Sequence, residues 1–270
     1  MIALGPTLTN ALIGRAPFIP NGLSEAVFKM MTATYRLVQV SKPHDLACLA
    51  AKTIAHRINL TLTQQERSQI ILSGGATPIA AYRLLSQEHL PWDRVDVFLS
   101  DERWVSTDDI ASNSFMLRRT LLTSGAPGSR AVFHSVPTTT LQSPDASAEA
   151  FAKLIAQACS DKPPAFHLVV LGLGEDGHTA SLFPGTDALL VRNRWTTICC
   201  GKGLDRVTIT EPVLSAAQQV VFLVSGVAKR QALQRLLDPA EPSERTPAKL
   251  VQPRNTILVL ADKAAADELR

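Results

Sequence analysis

The 270-residue sequence lacks the features that mark several large classes of protein. No run of about eighteen apolar residues occurs, so neither a membrane-spanning helix nor a membrane partner is expected. The four cysteines form no Cys-x-x-Cys pair and there are no paired histidines, which argues against a zinc site or a disulfide framework and favours a reducing cytoplasm. The net charge is only +3 and the basic residues are scattered, so no nucleic-acid partner is predicted, whereas small anions remain compatible.

What the sequence does contain predicts a large folded core. It is 46% hydrophobic and 19% charged, as expected of one domain, or of one domain with a minor lobe. Apolar strand patterns alternate with helical patterns, which predicts an α/β fold with a mainly parallel sheet and helices on both faces. Glycines and prolines interrupt residues 1–33, so we expect a poorly ordered extension there and a single domain over 34–270.

The stretch 166–185 turns a short apolar strand, Leu168–Leu171, into a glycine-rich loop. Glycine lets the backbone approach a ligand closely, and the loop carries Gly174, Asp176 and His178. An acid and an imidazole so close together indicate a catalytic site. The alternative is an ordinary turn with a solvent-exposed histidine.

The glycines of this loop do not match a dinucleotide-binding fingerprint. Pro184 follows soon after them, and neither a long helix nor an acidic strand end about twenty residues on is present. A nicotinamide cofactor is therefore not expected.

A second strand, Gln69–Leu72, runs into the loop Ser73–Pro78. Four residues of this loop are candidate ligands of a phosphate group: Ser73, Gly74, Gly75 and Thr77. A helix predicted from Ile79, with Thr77 as its N-cap, would point free N–H groups at an anion above the loop. No Gly-Lys-Ser/Thr follows, which excludes a nucleotide-triphosphate loop. The alternative is a tight turn that binds nothing.

The third strand, Val95–Leu99, also ends in polar residues, among them Asp101 and Arg103, with Asn113 a little further on. Ligands of open parallel sheets bind beyond the carboxyl ends of the strands, so the three loops are expected to converge. A surface ion pair between Asp101 and Arg103 is the alternative, and it would contribute little. Two later basic residues are candidate phosphate partners: Arg206 and Lys229.

These segments together resemble the 6-phosphogluconolactonase family over about residues 35–270. The resemblance is carried by the segments 73–78, 101–103 with Asn113, 172–185, 206–210 and 226–229. It implies a sugar-phosphate isomerase/CoA-transferase-like fold. It also implies hydrolysis of 6-phosphoglucono-1,5-lactone, a reaction of the pentose phosphate pathway. No metal or cofactor is implied, and we expect a monomer or a weak homodimer.

The reaction also suits the residues themselves. A δ-lactone is an activated ester, so one base that activates water suffices, and His178 is the candidate. Asp176 or a backbone carbonyl would fix its tautomer, while loop N–H groups around 174–177 are available to the oxyanion.

Two alternatives remain open from the sequence. An aminosugar-phosphate deaminase/isomerase would share the fold but should have other residues near Arg103 and Ser181. A non-catalytic sugar-phosphate sensor would need the phosphate loop without His178. The chain also departs from the lactonase pattern at Ala76, at His167 and in the segment 201–203, which affects only details of substrate contact.

Overall fold

The computed structural model of the chain describes residues 24–29, 34–267 and 269, the first range by its backbone alone. The strands are β1 Ser24–Lys29, β2 Thr34–Val40, β3 Ser68–Leu72, β4 Val95–Leu99, β5 Asp101–Arg103, β6 Val132–His134, β7 Leu168–Gly172, β8 Thr196–Gly201, β9 Leu204–Ile209, β10 Val220–Val224 and β11 Ile257–Asp262. The α-helices are α1 Pro43–Leu62, α2 Ile79–Leu85, α3 Asn113–Arg118, α4 Pro144–Ala158, α5 Glu211–Ser215, α6 Arg230–Leu237 and α7 Lys263–Ala266.

Eight strands form one sheet in the order β1-β2-β11-β10-β7-β3-β4-β6. All neighbours are parallel except β1, which runs antiparallel to β2. From β3 the chain proceeds outward to β4 and β6, returns to β7, and then continues in the opposite direction through β10 and β11. The loops that follow β3 and β7 therefore lie side by side where the strand order reverses, the usual ligand position in such sheets.

Helices cover both faces of the sheet because successive strand residues point to opposite sides. In β3, Ile70 and Leu72 join the core under α1 and α2, whereas Ile71 joins the core under α4 and α6. The predicted mainly parallel sheet with helices on both faces is confirmed. Among the described helices, none is both long and apolar enough to cross a bilayer.

A smaller antiparallel sheet, in the order β5-β9-β8, extends from the carboxyl end of β4. The β8–β9 hairpin turns at Lys202 and Gly203, whose φ values of 54° and 77° suit a two-residue turn. Residues 101–103, read from the sequence as a loop, form β5, in which Asp101 lies opposite Thr208. The base of the hairpin meets the end of β4, where the N–H of Ile209 donates to the Ser100 carbonyl at 2.9 Å.

Part of the N-terminal extension predicted over residues 1–33 forms the edge strand β1. Ser24–Lys29 pairs along β2 from Ser24 opposite Gln39 to Lys29 opposite Thr34. An edge strand needs backbone pairing on one side only, so it leaves a weak sequence signal. Residues 1–23 and 30–33, also included in that extension, lie outside the described residues.

Candidate active site

The loops after β3, β4, β7 and β10, together with the β8–β9 hairpin, surround a cavity of about 260 Å³. All ten predicted binding residues line it: Ser73, Gly74, Gly75, Thr77, Asp101, Arg103, Asn113, Gly174, Arg206 and Lys229. His178 lines the cavity as well, and Asp176 contacts His178 without lining the cavity itself. Among the described residues, no group of three or more His, Cys, Asp or Glu side chains is arranged to hold a metal ion.

Asp176 and His178 form a direct side-chain pair within the loop. One carboxylate oxygen of Asp176 contacts Nδ1 of His178 and also accepts the His178 backbone N–H at 3.2 Å. The side chain of His178 is 16% exposed and that of Asp176 is 43% exposed. Since Nδ1 faces a carboxylate, the neutral ring carries its proton there, and Nε2 is left as the basic nitrogen.

The surroundings keep this imidazole neutral. Burial lowers the pKa of His178 below its ordinary value, Asp176 opposes the change, and Lys202 adds to it. Burial alone would raise the pKa of Asp176, but its hydrogen bonds from His178 and the charge of Lys202 give a net lowering. A neutral imidazole beside an ionised carboxylate is the state that a general base needs.

Gly174 is required by this pairing. A β-carbon at Gly174 would overlap Nδ1 of His178 and a carboxylate oxygen of Asp176. The N–H of Gly174 donates to the His178 carbonyl at 2.8 Å, and the N–H of Gly177 donates to the Gly174 carbonyl at 3.0 Å. These two N–H groups already have partners, so the predicted oxyanion contact stays a prediction for the N–H groups of Glu175 and Asp176.

Phe183 connects the histidine to an arginine on the hairpin. Its ring centroid lies 4.3 Å from that of His178, and the Arg206 guanidinium lies 5.4 Å from the Phe183 centroid. A β-carbon at Gly201 would overlap the Phe183 ring, so only glycine fits at this position of β8. Phe183 thus excludes water from one side of the imidazole.

Arg206 is held firmly rather than left free in solvent. Its Nε donates to the Gly201 carbonyl at 3.1 Å, and Nη1 lies 3.6 Å from Asp101. Asp101 in turn accepts the Ser181 hydroxyl at 2.6 Å and the Ser100 hydroxyl at 3.1 Å. Asp101, predicted as a substrate ligand, therefore lines the cavity with carboxylate oxygens that already have protein partners.

The loop Ser73–Pro78 lines the side of the cavity nearest β3. Ser73 is buried at this wall, and its carbonyl accepts the Tyr82 hydroxyl at 3.0 Å, which ties the loop to α2. The predicted N-cap, Thr77, is wrong: α2 has Pro78 in that position, without a side-chain cap bond. Pro78 already has helical backbone angles, and its carbonyl accepts the N–H of Tyr82 at 2.9 Å, so the helix does not need the Thr77 side chain as its cap.

Glu102, which lies within the segment 101–103, has a structural function. It is fully buried, and its carboxylate accepts the N–H groups of Asn113 and Ser114, both at 2.7 Å. These groups lie at the N-terminus of α3, which begins at Asn113. An anion at a helix N-terminus is favourable, so Glu102 fixes Asn113 beside the cavity.

Four cationic side chains line the cavity, and one of them was missed from the sequence. They are Arg103, Lys202, Arg206 and Lys229. Lys202 occupies the tip of the hairpin, far in sequence from His178, and no local pattern places it near the catalytic loop. Against these cations the cavity wall contributes one carboxylate, Asp101, so the site favours an anion.

Comparison with known proteins gives consistent matches over most of the chain. The family model for glucosamine-6-phosphate isomerases/6-phosphogluconolactonase matches residues 41–260. A 6-phosphogluconolactonase of Nostoc sp. is 38% identical over 232 residues, 83% of this chain and 95% of the relative. One of Synechocystis sp. is 38% identical over 220 residues, covering 80% and 91%. The crystal structure of a 6-phosphogluconolactonase from Shewanella baltica aligns with a TM-score of 0.76 at 26% identity, covering 88% of this chain and 100% of that one.

Proposed function

The chain belongs to the glucosamine-6-phosphate isomerase/6-phosphogluconolactonase family, and we propose that it hydrolyses 6-phospho-D-glucono-1,5-lactone to 6-phospho-D-gluconate, using His178 to activate water. The observation that carries the mechanism is the Asp176–His178 pair at the wall of a cavity lined by four cations. The reaction is a step of the pentose phosphate pathway, and we propose the cytoplasm as its location. All four cysteines are free thiols, which supports a reducing compartment.

In the proposed reaction, Nε2 of His178 takes a proton from water as the water oxygen attacks the lactone carbonyl carbon. Asp176 holds Nδ1–H and stabilises the imidazolium that forms, as the acid of a catalytic triad does. The bond from the carbonyl carbon to the ring oxygen then breaks. The imidazolium returns its proton to that oxygen, which becomes the hydroxyl of 6-phosphogluconate.

Charge complementarity supports a phosphorylated substrate. A phosphate monoester carries nearly two negative charges at neutral pH, and Lys229 and the Ser73–Pro78 loop lie at the cavity wall to receive them. Arg206 faces the same space but is tied to Asp101 and Gly201, so it acts as a fixed positive charge. Since the N–H groups of Gly174 and Gly177 are engaged, we propose that the other lining cations, Arg103, Lys202 and Arg206, contribute to stabilising the oxyanion.

The direct test is a coupled assay with lactone generated immediately before use. The account predicts 6-phosphogluconate formation well above the spontaneous rate. The isomerase alternative is tested by supplying glucosamine 6-phosphate and measuring ammonia, of which none is expected. A protein that binds the sugar phosphate tightly but leaves the spontaneous rate unchanged would be a sensor.

A further inference from the structure

The backbone of the catalytic loop, residues 174–178, is held by hydrogen bonds to its carbonyl groups. Four of its carbonyl groups accept hydrogen bonds: that of Gly174 from Gly177, that of Glu175 from Arg235, that of Gly177 from Ala248 and that of His178 from Gly174. Two of these partners, Arg235 and Ala248, belong to segments outside the loop. The loop that carries Asp176 and His178 is therefore fixed partly by residues that do not line the cavity.

Arg235 makes the side-chain contact among these connections. It lies in the last turn of α6, and its Nη2 donates to the Glu175 carbonyl at 2.9 Å. Its Nε lies 3.9 Å from a carboxylate oxygen of Glu241, and the side chain is only 16% exposed. One guanidinium thus links a carbonyl of the catalytic loop to a buried carboxylate.

Glu241 secures the other end of this link. Its side chain is 6% exposed, lies 3.6 Å from Nε of Arg245, and accepts the Thr246 hydroxyl at 2.6 Å. Thr246 is fully buried and packs against Gly177. A β-carbon added to Gly177 would lie only 2.9 Å from the Cα of Thr246. The loop thus touches the 241–248 segment directly at Gly177 and through Arg235 at Glu175.

We propose that Arg235 is a positioning residue of the lactonase reaction, which together with Glu241, Thr246 and Ala248 holds the catalytic loop so that Asp176 stays paired with His178. This inference rests on the proposed function. Arg235 bonds to the residue immediately before Asp176, so loss of that bond frees the backbone that aims the carboxylate at Nδ1. Positioning errors of about 1 Å cost up to about a hundredfold in rate, so such a residue acts on turnover.

The test compares Arg235→Met with the matched control Arg245→Met. Both arginines lie beside Glu241, but Arg245 is exposed and makes no hydrogen bond to the catalytic loop within the described chain. We expect Arg235→Met to lower kcat at least tenfold with KM within twofold of wild type, measured on protein shown to be folded by its thermal transition. Arg235→Lys should recover part of the lost kcat, and Arg245→Met should leave both parameters unchanged.

Titration of His178 by NMR adds a readout that does not depend on turnover. Asp176 and Asp101 raise the pKa of His178 and Lys202 lowers it, so a looser Asp176 pairing should move the titration to lower pH in Arg235→Met. If the wild-type protein fails to hydrolyse the lactone, the proposed function is wrong, whereas this titration still tests the positioning. A folded Arg235→Met protein with wild-type kcat, or with an unchanged His178 titration, overturns the inference. Should Arg235→Met not fold, Arg235→Ala decides, since a wild-type kcat in that variant also overturns the inference.

Discussion

The side chain of Asn113 fills the space that a β-carbon on Gly74 would need. Asn113 is 2% exposed, and its Nδ2 donates to the Asp101 carbonyl at 2.8 Å, so it cannot move aside freely. This one contact joins the loop after β3, the start of β5 and the N-terminus of α3. The shape of the candidate phosphate loop thus depends on a residue about forty positions away.

Gly74→Ala should therefore displace Asn113 and distort the phosphate loop. The lost hydrogen bond is worth about 1 kcal/mol, which corresponds to a rise in KM of about fivefold with a smaller change in kcat. Gly74→Ala and Asn113→Ala both act through this one contact. The double variant should therefore raise KM no further than Asn113→Ala alone. Additive effects on KM would show that the two residues act separately.

Lys229 provides the cleanest test of phosphate recognition. Its Nζ lies 3.6 Å from the exposed carboxylate of Glu175, so removing it leaves no buried charge behind. A charge-assisted bond to phosphate contributes about 1.5–3 kcal/mol, so Lys229→Met should raise KM by about ten- to a hundredfold. The control is Lys52→Met, which removes an exposed lysine on α1.

Unphosphorylated glucono-1,5-lactone separates phosphate recognition from other effects. Lys229→Met should leave its hydrolysis unchanged, since this substrate offers no phosphate to bind. An equal loss of kcat/KM on both substrates would contradict the assignment of Lys229 to the phosphate.

Asp96, at the opposite end of the sheet from the cavity, should dominate the acid dependence of stability. Burial alone would raise the pKa of Asp96, but hydrogen bonds and charge from His134 and Arg67 lower it to about 2. A depressed carboxyl pKa stabilises the fold above the unfolded value, near pH 4, and this contribution is lost as pH falls towards 2. Its size is about 2 kcal/mol at neutral pH.

Urea unfolding of Asp96→Asn at several pH values checks this expectation. The free energy of unfolding should be lower than that of wild type by about 2 kcal/mol at pH 7, and the difference should shrink between about pH 4 and pH 2. Asp108→Asn, at an exposed carboxylate, serves as control. A difference that is constant with pH would mean that Asp96 contributes through packing rather than through its charge.

The sequence predicts the large sheet well because its central parallel strands are short and mostly apolar. The predicted Val95–Leu99 coincides with β4, and the predicted Leu168–Leu171 ends one residue before β7 does. The convergence of the loops follows from the same pattern, since polar and glycine residues come directly after these runs. The predicted binding residues then share one cavity because parallel strands present their carboxyl ends on one edge.

Other features depend on contacts between distant segments and leave no local signal. Strand β5 consists of three polar residues, Asp101–Arg103, and becomes a strand only because β9 lies beside it. Lys202 reaches the cavity because a hairpin folds towards it, and Arg235 reaches the catalytic loop from the end of α6. Neither residue belongs to a motif that can be read from neighbouring positions.

The most direct test of the central claim is the turnover of His178→Gln beside that of His89→Gln, an exposed histidine away from the cavity. Loss of a general base lowers kcat by about a hundred- to ten-thousandfold, while the fold and phosphate binding should persist. Burial lowers the pKa of His178, so wild-type activity should persist below the ordinary histidine pKa and then fall with pH, and this acidic limb should be absent from the variant. A folded His178→Gln protein that hydrolyses the lactone at the wild-type rate, or keeps the acidic limb, would contradict the assignment of His178 as the base.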